Sequence, residues 1–498
     1  MNTLAKRTHK QMNNIVTRVF RAIDSIGYAH DPKQTTTVYS VTQRPPFVSI
    51  NARRAAQYQV FRIPVLVQVP LPSGNGSVLF AFAEARMGVL DTGSIDIVCR
   101  RSFDRGYTWD EAIIVVTHSD IAHSTKANTH IGRGVCGNPC VVVNEYHKTL
   151  VMVFSHNHAH HIEQSIRQGN GIRSMWMTQC PIETAICTTQ KWSTGSHGWS
   201  TPVNITPMVK QPHWTWLASG PGVGIAIHNP DTKNNIPRLL IPCDHSTLNA
   251  QTGEMGHGAH LIYSDNGGHT WKIGMCLDGA MLIHYGIGLN ECQVVAVPHN
   301  TTRRQQKQHL ILNCRSLDNE VVKHATNVSC ATRSRKDLPY ITSRPATPHR
   351  YVRRVAISRD AGQTCESLHD IRQHSDVANC QVGFVSAIRR RIRDSPQIWF
   401  SNPANTKGRR GMVLRLLPAS VYEAPRSNPN QKNRDTLEKT LVLRKGACAY
   451  SSLAALSTNT VGVMFETGTW LPGVSQLMAA AITYHAIVYR MIDVNMMQ

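Results

Sequence analysis

Ser102-Phe103-Asp104-Arg105-Gly106-Tyr107-Thr108-Trp109 is the stretch on which the fold turns, because its pattern, Ser-x-Asp-x-Gly-x-Thr-Trp, returns along the chain. Ser264-Asp265-Asn266-Gly267-Gly268-His269-Thr270-Trp271 has Asn at the Asp position, and the copy at Ser358, Asp360, Gly362 and Thr364 ends in Cys365 instead of Trp. The spacing suits a tight turn between strands: the Asp or Asn side chain bonds local backbone, Gly supplies a positive φ, and Trp anchors the turn. Such a turn is structural and performs no chemistry. The wide gap between the first two copies predicts a degenerate one at Lys191-Trp192-Ser193-Thr194-Gly195-Ser196-His197-Gly198-Trp199.

Outward from these turns, short apolar runs alternate with Gly, Asn, Asp and Pro clusters. Val65 to Val69, Val78 to Ala83, Ile95 to Cys99, Ile113 to Val116, Val141 to Val143 and Leu150 to Phe154 all read as strands. Repeated β units of this kind stack radially, so the expected fold is all-β, a six-bladed β-propeller with about 75 residues per blade. Residues 1–45 are polar, basic and Thr-rich, with a weak helical period around Ile15, Val16, Val19, Phe20 and Ile23, and are set apart as an extension; residues 46–498 are assigned to the propeller.

Composition narrows the class. The 498 residues are 41% hydrophobic and 17% charged, with no low-complexity bias, which excludes wholesale disorder. A net charge of +22 points to an anionic partner or substrate. Nucleic acid is not expected, since there is no run of five basic residues and no zinc-finger or RNA-recognition signature; Arg389, Arg390, Arg391 and Arg393 read as a solvated strand or loop edge. Of thirteen cysteines only Cys136 and Cys140 stand at metal-like spacing, and half a site earns no zinc. His156, His158, His160 and His161 read as a solvated loop after a strand ending at Phe154. No cofactor or metal is expected. Lys6, Arg7, Lys10, Arg18 and Arg21 interrupt any signal-peptide core, and Leu477 to Val488 is too short to span a bilayer and reads as a buried strand. A soluble chain, cytoplasmic by default with lysosomal and secreted settings left open, is the expectation. Sequons at Asn75, Asn204, Asn300 and Asn327 do not establish secretion, and nothing in the sequence indicates an oligomeric state.

The repeats resemble the Asp boxes of the sialidase (neuraminidase) family, and the resemblance extends beyond them. Phe61-Arg62-Ile63-Pro64 is similar to that family's Phe-Arg-Ile-Pro motif, one blade before the first box. Glu84-Ala85-Arg86 through Asp91-Thr92-Gly93-Ser94-Ile95-Asp96 is similar to its acid-bearing segment. Ala218-Ser219-Gly220-Pro221-Gly222, Asn290-Glu291-Cys292-Gln293-Val294, Asn313-Cys314-Arg315-Ser316, Ser401-Asn402-Pro403-Ala404 and Ala449-Tyr450-Ser451-Ser452-Leu453 follow in family order. The collinear set is specific where any one string is not.

The resemblance implies an exo-α-sialidase that hydrolyses terminal α-linked sialic acid of glycoproteins, glycolipids and oligosaccharides with retention. It implies Arg62, Arg315 and Arg409 as a carboxylate-binding triad, Arg409 being preferred to Arg410 because its spacing to Arg415 matches. Tyr450 is implied as nucleophile, Glu291 as its base and Asp91 as general acid and then base. Arg86 is assigned to the O4 side of the sugar, against a structural pairing with Glu84, and Glu466 to orienting Arg62. The chemistry is coherent: guanidinium forks bind carboxylate bidentately, and a neutral phenol approaches an anomeric carbon bearing a carboxylate without the repulsion a carboxylate nucleophile would meet. Alternatives are a trans-sialidase, a sialidase preferring deaminated sialic acid, an inactive sialoglycan-binding propeller, and an anionic-polymer binder.

Overall fold

The apolar runs become strands. Val65 to Val69 lies in Val60–Pro70, Val78 to Ala83 in Ser77–Arg86, Ile95 to Cys99 in Ile95–Ser102, Val141 to Val143 in Gly134–Asn144, and Leu150 to Phe154 in Thr149–His158, while Ile113–Val116 is a strand by itself. The structure is a computed structural model and describes residues 35–40, 47, 52–72, 74, 76–89, 91–124, 133–188, 198–228, 235–249, 251–298, 308–317, 340–341, 352–371, 380–392, 395–405, 408–422, 439–468 and 486–497. The helical period near Ile15, residues 191–197 of the degenerate turn, the span 477–485 and the sequons at Asn75, Asn300 and Asn327 lie outside these residues, as do the side chains of Arg389, Arg390, Arg391 and Arg393.

Hydrogen bonding makes most of the described strands into antiparallel meanders in chain order, with parallel pairings at Gly222–Val223, at Tyr340–Ile341 and between Ile95 and Val135. One sheet holds Val60–Pro70, Ser77–Arg86, Ile95–Ser102 and Ile113–Val116, then Gly134–Asn144, Thr149–His158, Ser174–Pro181 and Val203–Asn204. A second is built on Trp214–Ser219, Arg238–Leu248, Met255–Ser264 and Lys272–Leu277, and a third on Leu289–Pro298, Gln308–Ser316, Arg353–Ser358 and Ser367–Ile371. The last runs from Gly383–Ile392 through Ser395–Pro403, Arg410–Pro418, Lys439–Ala455 and Thr460–Thr467 to Ala486–Asp493. Its edge is Thr36–Ser40, which lies inside the stretch set apart as an extension yet pairs antiparallel with Ala486–Asp493, joining the two ends of the described chain.

Side chains alternate across each strand, and here both faces are buried. Phe80 and Phe82 enter a cluster with Ile97, Cys136, Phe154 and Trp176, whereas Leu79, Ala81 and Ala83 meet Tyr39, Leu66, Met464 and Tyr489 from the chain's two ends. The pattern continues: Val142, Val153, Leu239 and Trp271 pack together, then Leu240, Leu261, Val294 and Leu312, then Val295, Ile311, Phe384 and Phe400, then Trp399, Leu414, Leu453 and Val488. Each such side chain contributes about 1.5–3 kcal/mol when buried.

The repeat turns have the predicted build. Ser102 Oγ accepts from Gly106 N at 2.7 Å, and Asp104 Oδ1 accepts from Thr108 N at 2.8 Å. Ser264 does the same for Gly268 at 2.8 Å, and Asn266 Oδ1 for Thr270 N at 2.9 Å, so Asn serves where Asp was expected, the contact needing only an acceptor oxygen. Gly106, Gly268 and Gly362 have φ of 91°, 99° and 83°. Cys365 packs half-buried where the other copies place Trp.

The solvated histidine loop is found only in part, with His158 and His160 exposed but His156 not. The strand beyond Phe154 continues to His158, and His156 and Asn157 are buried rather than forming a solvated loop. Its polar groups are satisfied across the sheet: His156 Nε2 lies 2.8 Å from His118 Nδ1, and Asn157 accepts from Arg173. Burial and the neighbouring imidazoles draw His156 down to about 3.

Candidate active site

A register shift interrupts the ladder in four of the strands that reach the cavity. It falls between Arg62 and Val65, between Gly137 and Cys140, between Asn290 and Cys292, and between Cys448 and Ser451. The residues displaced there include Asn138, Glu291 and Tyr450, and Arg62 borders the first. A bulge frees a residue from the alternation and re-aims its side chain. Ile63, at φ 57°, and Asn138, at φ 53°, occupy left-handed backbone at these points, which for a β-branched residue is strained.

These strand ends surround a cavity of about 300 Å³. Glu466, fully buried at the end of Thr460–Thr467, accepts from Arg62 Nε at 3.1 Å, Arg62 Nη2 at 3.2 Å, Ile63 N at 2.9 Å and Tyr450 N at 3.1 Å. One carboxylate thus fixes both an arginine and the backbone of the tyrosine. Tyr450 donates its phenol proton in a short hydrogen bond to Glu291 Oε1, and Arg315 Nη1 donates to Glu291 Oε2 at 2.7 Å and to Tyr450 Oη at 3.4 Å. The Arg62 and Arg409 guanidinium carbons lie 5.2 and 5.5 Å from the Tyr450 ring centroid. Arg409 lines the cavity, whereas Arg410 begins the strand Arg410–Pro418 and faces Ala447 in the ladder. Burial first, and the Glu291 carboxylate second, push the Tyr450 phenol well above its ordinary value, so at rest it is neutral.

Asp91 sits across the opening on the turn between Ser77–Arg86 and Ile95–Ser102, its side chain 66% exposed. Arg62 Nη1 reaches Asp91 Oδ1 at 3.4 Å, and Arg86 donates to the same oxygen. Arg86, with Arg62 behind it, holds Asp91 well below the usual carboxylate range. Arg86 also bonds Glu84 Oε2 through Nε at 2.9 Å, so it makes the pairing with Glu84 as well as facing the cavity.

The facing wall comes from residues the sequence reading did not single out as site residues. Trp216 carries the Arg167 guanidinium carbon 4.3 Å and that of Arg173 4.1 Å from its ring centroid. Its indole donates to Asp244 Oδ2 at 2.9 Å. Each nitrogen of the Arg173 guanidinium has a partner, Leu217 O at 3.1 Å, Asn138 Oδ1 at 2.6 Å and Asn157 Oδ1, and burial lowers it to about 10. Burial raises Asp244 to about 7, with Arg167 opposing. Two of the motif segments pack on each other beside the site: a Cβ on Gly220 would lie 2.5 Å from the carbonyl oxygen of Cys292, next to Glu291, and Gln293 Nε2 donates to Gly220 O at 2.8 Å.

An all-β protein with a tyrosine–glutamate pair among arginines is thus the class defined by fold and site. The chain belongs to the BNR repeat-like domain family, whose profile matches residues 77–463, and its relatives place it with the sialidases. A curated relative named "Sialidase" from Bacteroides fragilis (strain YCH46) is 24% identical over 415 residues, 82% of this chain; the chain spans 60% of that relative's length. Among solved structures, "Hadza microbial sialidase Hz136" superposes with a TM-score of 0.56 at 19% identity, covering 89% of this chain and 67% of that one. The intramolecular trans-sialidase from Ruminococcus gnavus, in complex with oseltamivir carboxylate, gives 0.57 at 14% identity, covering 92% and 99%. These likenesses establish a shared fold.

Proposed function

We propose that the chain is a retaining exo-α-sialidase built on a six-bladed β-propeller. The blade count is supported by the successive meanders, each packed on the next and the last on the first, with Thr36–Ser40 completing the final sheet. The observation that carries the activity is the buried phenol of Tyr450 bonded to Glu291 between Arg62, Arg315 and Arg409, with Asp91 across the cavity.

In this reading the three arginines take the substrate carboxylate. Asp91 protonates the glycosidic oxygen while Glu291 removes the phenol proton and Tyr450 Oη attacks the anomeric carbon, forming a tyrosyl glycoside with loss of the aglycone alcohol. Water, deprotonated by Asp91, then attacks that carbon from the vacated side; the phenolate leaves and recovers its proton from Glu291. Two inversions give net retention. Asp91 is anionic at rest, and a substrate carboxylate engaging Arg62 removes part of the positive field that keeps it so, raising its proton affinity on binding. Release of fluorophore from a synthetic α-sialoside tests the reading, with lactose present to intercept transfer. Free sialic acid as main product is expected; sialyl-lactose as main product identifies a transferase, and no release from folded protein between pH 4 and 8 refutes the enzyme.

A further inference from the structure

Four residues from three separate segments converge on the side of the second sheet turned away from Trp216 and Asp244. His245 follows Asp244 on Arg238–Leu248, Cys276 is the penultimate residue of Lys272–Leu277 with Asp278 just beyond it, and His213 precedes Trp214–Ser219. One ligating atom each from His245, Cys276 and Asp278 all lie within 4.8 Å of one another, and His213 Nε2 is 3.1 Å from Asp278 Oδ2. Cys276 is a free thiol.

Local contacts prepare His245 to ligate. Trp214 stacks on its ring with centroids 3.9 Å apart and planes at 15°. Gly279 N–H donates to its Nε2 at 3.3 Å, so Nε2 is the unprotonated nitrogen; a metal at Nε2 takes the lone pair that this long contact occupies and displaces it. The proton is on Nδ1, 3.0 Å from His260 Nδ1. Metal-ligating histidines commonly donate their second N–H in this way, fixing the tautomer. Asp278 Oδ2 accepts from Trp214 Nε1 at 3.3 Å and lies 3.1 Å from His213 Nε2, which bring the carboxylate to within 3.9 Å of His245 Nε2 without a direct bond to it. Asp278 Oδ1 caps the helix Gly279–Leu282 by accepting from Ala280 N at 2.8 Å, which holds the carboxylate in place.

We propose that His245, Cys276, Asp278 and His213 bind one zinc ion. One thiolate, one carboxylate and two neutral imidazoles cancel the charge of a divalent ion, and mixed sulfur, nitrogen and oxygen donors suit zinc over calcium or magnesium. Zinc–ligand bonds of about 2.0–2.3 Å require the donors to draw together by side-chain rotation, and the half-exposed His213 leaves an entry path. Cys276 releases its proton on binding. The ion braces the strands whose other faces carry Trp216 and Asp244, a structural role separate from the glycosidase reading.

The test is titration of chelator-treated full-length protein with Co²⁺ and then Zn²⁺, followed by absorption and by metal analysis after gel filtration. The expected result is about one equivalent of Co²⁺ bound with a thiolate charge-transfer band, displaced by Zn²⁺. Cys276→Ser, small and conservative, abolishes the band, and Asp278→Asn weakens Zn²⁺ binding by ~100-fold, with circular dichroism confirming both folds. Wild-type protein that takes up no stoichiometric Co²⁺, or a folded Cys276→Ser variant that binds both ions as the wild type does, overturns the site.

Discussion

The two walls of the cavity are built on different principles. On one, Glu466, Glu291, Arg62, Arg315 and Tyr450 are joined by direct carboxylate bonds, and bulges aim the side chains inward. On the other, Arg167 and Arg173 lie against an indole, and their partners are mostly neutral acceptors. In the proposed mechanism the first wall holds the groups that exchange a proton and must keep fixed distances. The second presents buried cations whose geometry is set by stacking, an arrangement suited to shaping a subsite. Electrostatics therefore divides the pocket into a half held by carboxylate ion pairs and a half held by stacking.

The sharpest break falls on the first wall. Tyr450→Phe removes the attacking oxygen and is expected to lower kcat by ~10³-fold or more, and Glu291→Gln by ~10²–10⁴-fold, both measured with a synthetic α-sialoside. Glu466→Gln breaks a fully buried ion pair and is expected to cost about 3–5 kcal/mol in urea unfolding as well as turnover. The second wall answers more mildly: Trp216→Leu forfeits two cation–π contacts, worth up to ~2 kcal/mol each when desolvated, and is expected to raise KM by ~10-fold with kcat less affected.

Asp244 gives a pH test of that wall. Its folded pKa, about 7, lies above the usual carboxylate value near 4, so between these limits the unfolded chain releases a proton that the folded chain keeps. This group's contribution therefore lowers stability as pH rises from about 4 to about 7, and Asp244→Asn is expected to flatten that part of the profile in thermal melts. Smallest of all, Asn266→Ala in a repeat turn removes the acceptor for Thr270 N and is expected to cost about 1 kcal/mol with unchanged kcat.

How far the sequence could be read follows the same division. Arg62, Glu291 and Tyr450 stand in short contiguous strings, because a bulge and the residue it re-aims are local features. Arg409 and Arg410 were separable only by spacing to Arg415, and the cavity contains the former. Arg167, Arg173, Trp216 and Asp244 left no such trace. Each is an ordinary polar or aromatic residue until separate strands bring them together, and burial, which makes them distinctive, is a property of the assembled sheets. Within the histidine run it is His156 that departs from the solvated reading, since His118, far back in the chain, supplies the partner that keeps it inside, while His158 and His160 are exposed. Thr36–Ser40 is polar by composition and becomes a strand through pairing with the other end of the chain.

The central claim is that Tyr450 forms the covalent bond to the sugar. Incubating the protein with a 2,3-difluorinated sialic acid, digesting it and sequencing the labelled peptide by mass spectrometry tests this directly. The account predicts one adduct, on Tyr450, absent from Tyr450→Phe. An adduct on Asp91 or Glu291, or a Tyr450→Phe variant that labels and turns over like the wild type, would contradict it.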